Sequence, residues 1–108
     1  MSRSNKLISD QAVTEAIQYL QSSQNLVAAS RAARVRAEFN RERTLAMLML
    51  RSPESSPEMC RAWAIAHVDY AAVCEQEAQA VEADEWNRAK MNNAQMILEA
   101  WKAEKIAD

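Results

Sequence analysis

The sequence predicts an all-α protein shaped as a long antiparallel helical hairpin. Two observations carry that prediction. First, 108 residues include no glycine and only two prolines. Tight hairpins and left-handed turns are hard to build without glycine, which argues against a sheet. Second, Ala, Glu, Arg, Gln and Met dominate the composition, and all of them favour helix. Hydrophobic residues make up 49%, yet Leu, Ile, Val and Phe number only 19, and much of the apolar fraction is alanine. The missing glycines also remove the phosphate-cradling loops of nucleotide-binding enzymes.

The elements follow in order. The stretch through Asn5 is polar. Ser9 or Asp10 supplies an N-cap, and a helix is expected over 10–51. Its apolar positions, Val13, Ile17, Leu20, Val27, Val35, Phe39, Leu45 and Met49, recur at helical spacing. Gln21-Ser22-Ser23-Gln24-Asn25 is its weak point, because Ser and Asn side chains compete for backbone hydrogen bonds and favour a kink or break. A Ser/Pro turn is expected over 52–56. Each Ser-Pro-Glu triplet there matches a cap, a proline at the first helical position and an early acid. Ser56 is preferred as the cap of the second helix, with Ser52 the alternative. That second helix is expected over 57–105, with a break allowed near Asp69 or Asn92-Asn93. Its seam reads Met59, Trp63, Ala66, Tyr70, Val73, Glu77, Val81, Asp84, Arg88, Met91, Gln95 and Leu98, the 3-4 spacing of a coiled coil. The whole is read as a single helical domain over 1–108.

Charge is unevenly placed. The net charge is −2, but residues 1–51 carry +4 and residues 52–108 carry −6. Folding the chain at about residue 54 places residue i opposite residue 108 − i, so that Leu45 meets Trp63, Val27 meets Val81, Ile17 meets Met91 and Arg31 meets Glu77. The basic arm then neutralises the acidic one. Two helices alone cover two apolar faces poorly. Self-association into a bundle is therefore expected, with a homodimer as the simplest closed form. A compact three- or four-helix bundle is the alternative.

Candidate functional residues fall into a few groups. Arg31, Arg34, Arg36, Arg41 and Arg43 form an arginine stripe with Glu38 and Glu42 interleaved. The stripe is either an ion-pair network or a phosphate-tracking face. Arg34, Glu38 and Arg41 have the spacing of pairs within a helix. Trp63, Trp86 and Trp101 are surplus aromatics for two helices, which marks them as interface candidates. The acidic residues Glu75, Glu77, Glu82, Asp84 and Glu85 read as solvated or arginine-paired, because a di-iron bundle site wants Glu-x-x-His motifs and His67 lacks that context. His67, Cys60 and Cys74 do not form a nucleophile-base arrangement. Fourteen positions apart, the two cysteines stand too far from each other to be bridged if the helix is continuous. No catalytic residue, metal site or cofactor is expected. No apolar run approaches the ~20 residues of a membrane span, and Met1 to Asp10 holds Arg3 and Lys6 without the apolar core of a secretory signal. A cytoplasmic protein without membrane attachment is expected.

Ala16-Ile17-Gln18-Tyr19-Leu20, the alanine- and arginine-rich stretch with Glu38 inside it, Ala46-Met47-Leu48-Met49, Tyr70 with the acidic run, and Ile97-Leu98-Glu99-Ala100-Trp101-Lys102 together carry a resemblance. Over about residues 12–104 the chain resembles small helical proteins of tailed phages and prophages. These have no assigned function and often lie near phage genes for recombination. The resemblance implies a bacterial host cytoplasm and an accessory role in DNA metabolism or host takeover. It transfers no catalytic residue. The expected function is non-enzymatic and works through protein contacts, with a protein partner unidentified. A nucleic-acid-binding module using the arginine stripe and a structural scaffold are the alternatives.

Overall fold

A computed structural model describes residues 7–107. The polar stretch through Asn5 lies outside them. The described chain forms three helices, α1 (Asp10–Arg51), α2 (Pro57–Ala66) and α3 (Val68–Ala107), with no strand among the described residues.

Ser9 starts α1. Its hydroxyl accepts from the Ala12 N–H at 3.0 Å and its carbonyl from the Val13 N–H at 3.1 Å. The suspect segment Gln21–Asn25 stays helical. Ser22 turns its hydroxyl back onto the Gln18 carbonyl at 2.9 Å, a bond made within the helix rather than in place of it. Ser23 points inward. The helix stops at Arg51, because Ser52 precedes Pro53 and the proline ring pushes it out of the α region.

The turn is tied at each step. Ser52 Oγ accepts from the Glu54 N–H at 3.1 Å, and Ser56 Oγ accepts from the Met59 N–H at 3.2 Å. Ser56 is thus the cap of α2, with Pro57 at its start. The Cys60 thiol donates to the Glu54 carbonyl.

The helix expected over 57–105 is divided at His67, at the break allowed near Asp69, and runs unbroken through Asn92-Asn93. His67 leaves the helical region, with φ −74° and ψ 143°. Its backbone N–H closes α2 on the Ala64 carbonyl, while its Nδ1 accepts from the Asp69 N–H at 3.0 Å and opens α3. One residue therefore ends one helix with its backbone and caps the next with its ring. Both cysteines are free thiols.

The expected single domain divides by its contacts into two units. One is Ala29–Asp84, here the turn unit. The other, the terminal unit, takes the chain up to Ala28 and from Glu85 on. In the turn unit, Leu48 and Ala64 are buried, and Thr44 and Leu48 share a small cavity with Asp69 and Val73. In the terminal unit the buried apolar residues are Val13, Ala16 and Ala94. Small residues let helix backbones approach closely, so each interior is narrow.

Two expectations about facing residues change. On α1, Ile17, Val35 and Phe39 belong to the apolar positions expected at helical spacing but are 39%, 45% and 63% exposed. On α3, Asn87 and Ala94 are buried where Arg88 and Gln95 were expected on the seam.

Candidate functional site

The arginine stripe does not act as one surface. Arg34 and Arg41 are seven residues apart, two turns along the same face of α1. Asp84 and Glu77 stand seven apart on α3, running the other way. Arg34 Nη1 lies 3.2 Å from Asp84 Oδ2, and Arg41 Nε lies 2.6 Å from Glu77 Oε1. The Asp84 side chain is 0% exposed. A carboxylate so far from water needs a charged partner, and Arg34 supplies one. Arg41 is held more firmly protonated than an ordinary arginine, first by its hydrogen bond to Glu77 and then by Tyr70. The expected pairing within the helix through Glu38 is not what these two arginines use. They reach across to α3.

In both cross-helix pairs the residue numbers add to 118 rather than the expected 108. Glu77 consequently meets Arg41 and not Arg31. The cause is α2. Because the chain breaks at His67, residues 52–67 together make the connection, and its midpoint moves from about residue 54 to residue 59 or 60. In the terminal unit Tyr19 and Lys90 come together, close to the expected register.

Arg31, Arg36 and Arg43 face solvent. So do Glu38 and Glu42, which interrupts any continuous positive track. The acidic run behaves as a paired face at Glu77 and Asp84, while Glu75 accepts from Gln79 one turn on, at 3.3 Å. No group of three or more His, Cys, Asp or Glu side chains converges as a metal site would among the described residues.

The three tryptophans have different surroundings. Trp63 is half-buried and its ring lies 5.2 Å from that of His67. Trp86 is exposed, with Lys90 Nζ 5.6 Å from its ring centre. Trp101 is half-buried under Lys105, at 4.9 Å, and its indole N–H is enclosed without a hydrogen-bond partner among the described residues.

The terminal unit also contains a cleft of about 290 Å³, at the lower limit of ligand pockets. Ala16, Ala94 and Ile97 line it along with Glu15, Lys90 and Asn93. Tyr19 lines it too, with Lys90 Nζ 5.5 Å from its ring centre. The Tyr19 hydroxyl is enclosed and has no hydrogen-bond partner among the described residues. Near the start of α1, Glu104 Oε1 accepts from the Leu7 and Ile8 N–H groups at 2.7 and 3.2 Å. A carboxylate beside a helix N-terminus is favourable in charge as well as in hydrogen bonding.

Sequence reasoning missed the double cap at His67 and the outward placement of Val35 and Phe39. Asp69, an acid in the first turn of a new helix, was the available signal for the first. For the second it was the repeat Arg34, Arg41, Leu48, which marks a different face of α1. No helix among the described residues is long and apolar enough to cross a membrane. Comparison of the chain with family models, with curated proteins and with solved structures finds no match.

Proposed function

We propose that this protein works by protein–protein contact, self-association included, and not by catalysis. The observation that supports this most is the inverted placement of its apolar side chains. The interior of the turn unit is built on Leu48 and Ala64, while Phe39, Leu50 and Val68 are 63%, 87% and 74% exposed. An exposed apolar face on α1, carrying Phe39 and Leu50, is a surface where a partner can dock. The resemblance to tailed-phage proteins makes the role an accessory one in phage DNA metabolism or host takeover, in a bacterial cytoplasm.

The test is absolute mass by light scattering across a concentration series, at low and high salt. A mass near twice the 12.2 kDa chain supports the reading. A 12.2 kDa species at every concentration overturns its self-association part.

Nucleic-acid binding is the rival reading, and the solvent-facing Arg31, Arg36 and Arg43 speak for it. It requires affinity for DNA that falls steeply with salt, and a salt slope lowered by about one unit for each arginine replaced. The engagement of Arg34 and Arg41 with α3 and the interleaved Glu38 and Glu42 favour protein contact instead.

A further inference from the structure

We propose that His67 is a proton-operated latch between α2 and α3. As a neutral ring it caps α3 through Nδ1, and as a cation it gives up that cap and takes the Asp69 carboxylate instead.

The junction presents one atom to both partners. His67 Nδ1 lies 3.0 Å from the backbone nitrogen of Asp69 and 3.8 Å from Asp69 Oδ2. These partners demand opposite states of the same nitrogen. To accept from the Asp69 N–H, Nδ1 must offer a lone pair, so the neutral ring carries its proton on Nε2. In the imidazolium both nitrogens are donors, and Nδ1–H then faces N–H and is repelled. The carboxylate is the partner left within reach. Closing 3.8 Å to the length of a charge-assisted hydrogen bond takes a movement of about 1 Å. Histidine is the side chain that exchanges this proton between about pH 5 and about pH 8.

The surroundings are divided between the two states. On α2, the Trp63 ring lies 5.2 Å from the imidazole, and an aromatic ring attracts a cation. The C-terminus of α2 also favours the cation, whereas the N-terminus of α3 favours the neutral ring. From α1 comes Arg51, which lines the same small cavity as Asp69. Its charge opposes the imidazolium and competes for the carboxylate. Tyr70, which follows Asp69 on α3, is bonded to Arg41. Between Pro57 and Ala107 only His67 stands outside a helix, so its ring acts at the one joint of that stretch. The backbone of the joint does not use the ring. The His67 carbonyl accepts from the Tyr70 and Ala71 N–H groups at 3.1 and 3.3 Å, which keeps α3 anchored when the Asp69 N–H loses its partner. The latch therefore acts on the first turn of α3 alone.

The chain has a single histidine, so nuclear magnetic resonance follows this ring without ambiguity. The full chain is titrated from about pH 8 to about pH 5 beside Asp69→Ala and His67→Asn. Circular dichroism at the alkaline end checks that each variant keeps its helix content. In the wild type Nδ1 is expected to be the unprotonated ring nitrogen at about pH 8. As pH falls, the Asp69 amide resonance is expected to move with the same midpoint as the ring. Asp69→Ala keeps the backbone N–H and removes the carboxylate, so the ring midpoint is expected to move to lower pH. In His67→Asn the amide at position 69 is expected to stay still across the window. A proton on Nδ1 at the alkaline end, or an Asp69 amide that does not move with the ring, overturns the latch. An amide that still moves in His67→Asn assigns the response to another group and overturns it as well. A midpoint unchanged by Asp69→Ala overturns the transfer to the carboxylate.

Discussion

The turn unit and the terminal unit solve the same problem differently. Each must cover an interior with few bulky apolar side chains. The turn unit spans its interior with long ion pairs, Arg34 to Asp84 and Arg41 to Glu77, over Leu48. The terminal unit brings alanines together, Ala16 and Ala94, and encloses polar atoms beside them. Among these, Tyr19 Oη, Ser23 Oγ, Trp101 Nε1 and Glu104 Oε2 have no hydrogen-bond partner among the described residues. In the turn unit two opposite-charge pairs with the same two-turn spacing hold charge inside the layer, whereas in the terminal unit the enclosed Glu104 carboxylate is held by backbone N–H groups. Enclosed polar groups without such partners cost stability without compensation.

The largest expected effect breaks the turn unit. Leu48 is 1% exposed, and Leu48→Ala should lower its stability by about 3 kcal/mol, through lost burial and a cavity that the narrow interior cannot close. Chemical denaturation checks this. A loss under ~1 kcal/mol would mean that the site relaxes freely.

Next comes the ion pair. Arg34→Ala removes the 3.2 Å partner of a fully buried carboxylate and should cost about 2–3 kcal/mol. Replacing both partners, as Arg34→Met with Asp84→Leu, should cost far less or even stabilise, because no charge is then left inside. Equal losses for the single and double variants would show that the pair is not the unit that matters.

The cap at His67 is worth less. His67→Ala should cost about 1 kcal/mol, and His67→Asn, which keeps a short acceptor, should recover most of it. The terminal unit should show the opposite sign. Tyr19→Phe and Ser23→Ala each remove an enclosed polar atom that has no partner among the described residues, so each should be neutral or stabilising by up to about 1 kcal/mol. A clear destabilisation by either would break the comparison between the units.

The smallest effect is in pH. Arg41 is held charged above its ordinary range, so its contribution is fully present below the unfolded value and is lost only as pH rises through the higher folded one, in strongly alkaline solution. Stability curves of wild type and Arg41→Met should therefore run parallel from about pH 6 to about pH 10. Curves that converge within that window would show the pair to depend on a group other than Arg41.

Much of the fold was legible in the residues. The missing glycines and the helix-forming composition exclude a sheet, and Ser56-Pro57-Glu58 marks the start of α2 because cap, fixed φ and early acid coincide there. Pro53 ends α1 by sterics alone. These are local effects, decided by neighbours within one turn. The break at His67 was less legible, since a histidine has no strong propensity and acts here only because its ring nitrogen finds the Asp69 N–H.

What the sequence by itself determined is helix, turn and the opposition of a basic arm to an acidic one. Those depend on backbone sterics, capping and charge counts, which are properties of short stretches. The tertiary structure alone decided which arginine meets which acid and which face of α1 is left outward. In the turn unit the centre of the connection moves from residue 54 to 59 or 60, so Glu77 takes Arg41 instead of Arg31, while Tyr19 and Lys90 in the terminal unit stay close to the expected register. The packed face of α1 follows from that register. Arg34, Arg41 and Leu48 turn inward together, and on a helix of 3.6 residues per turn Val35 and Phe39 then face outward.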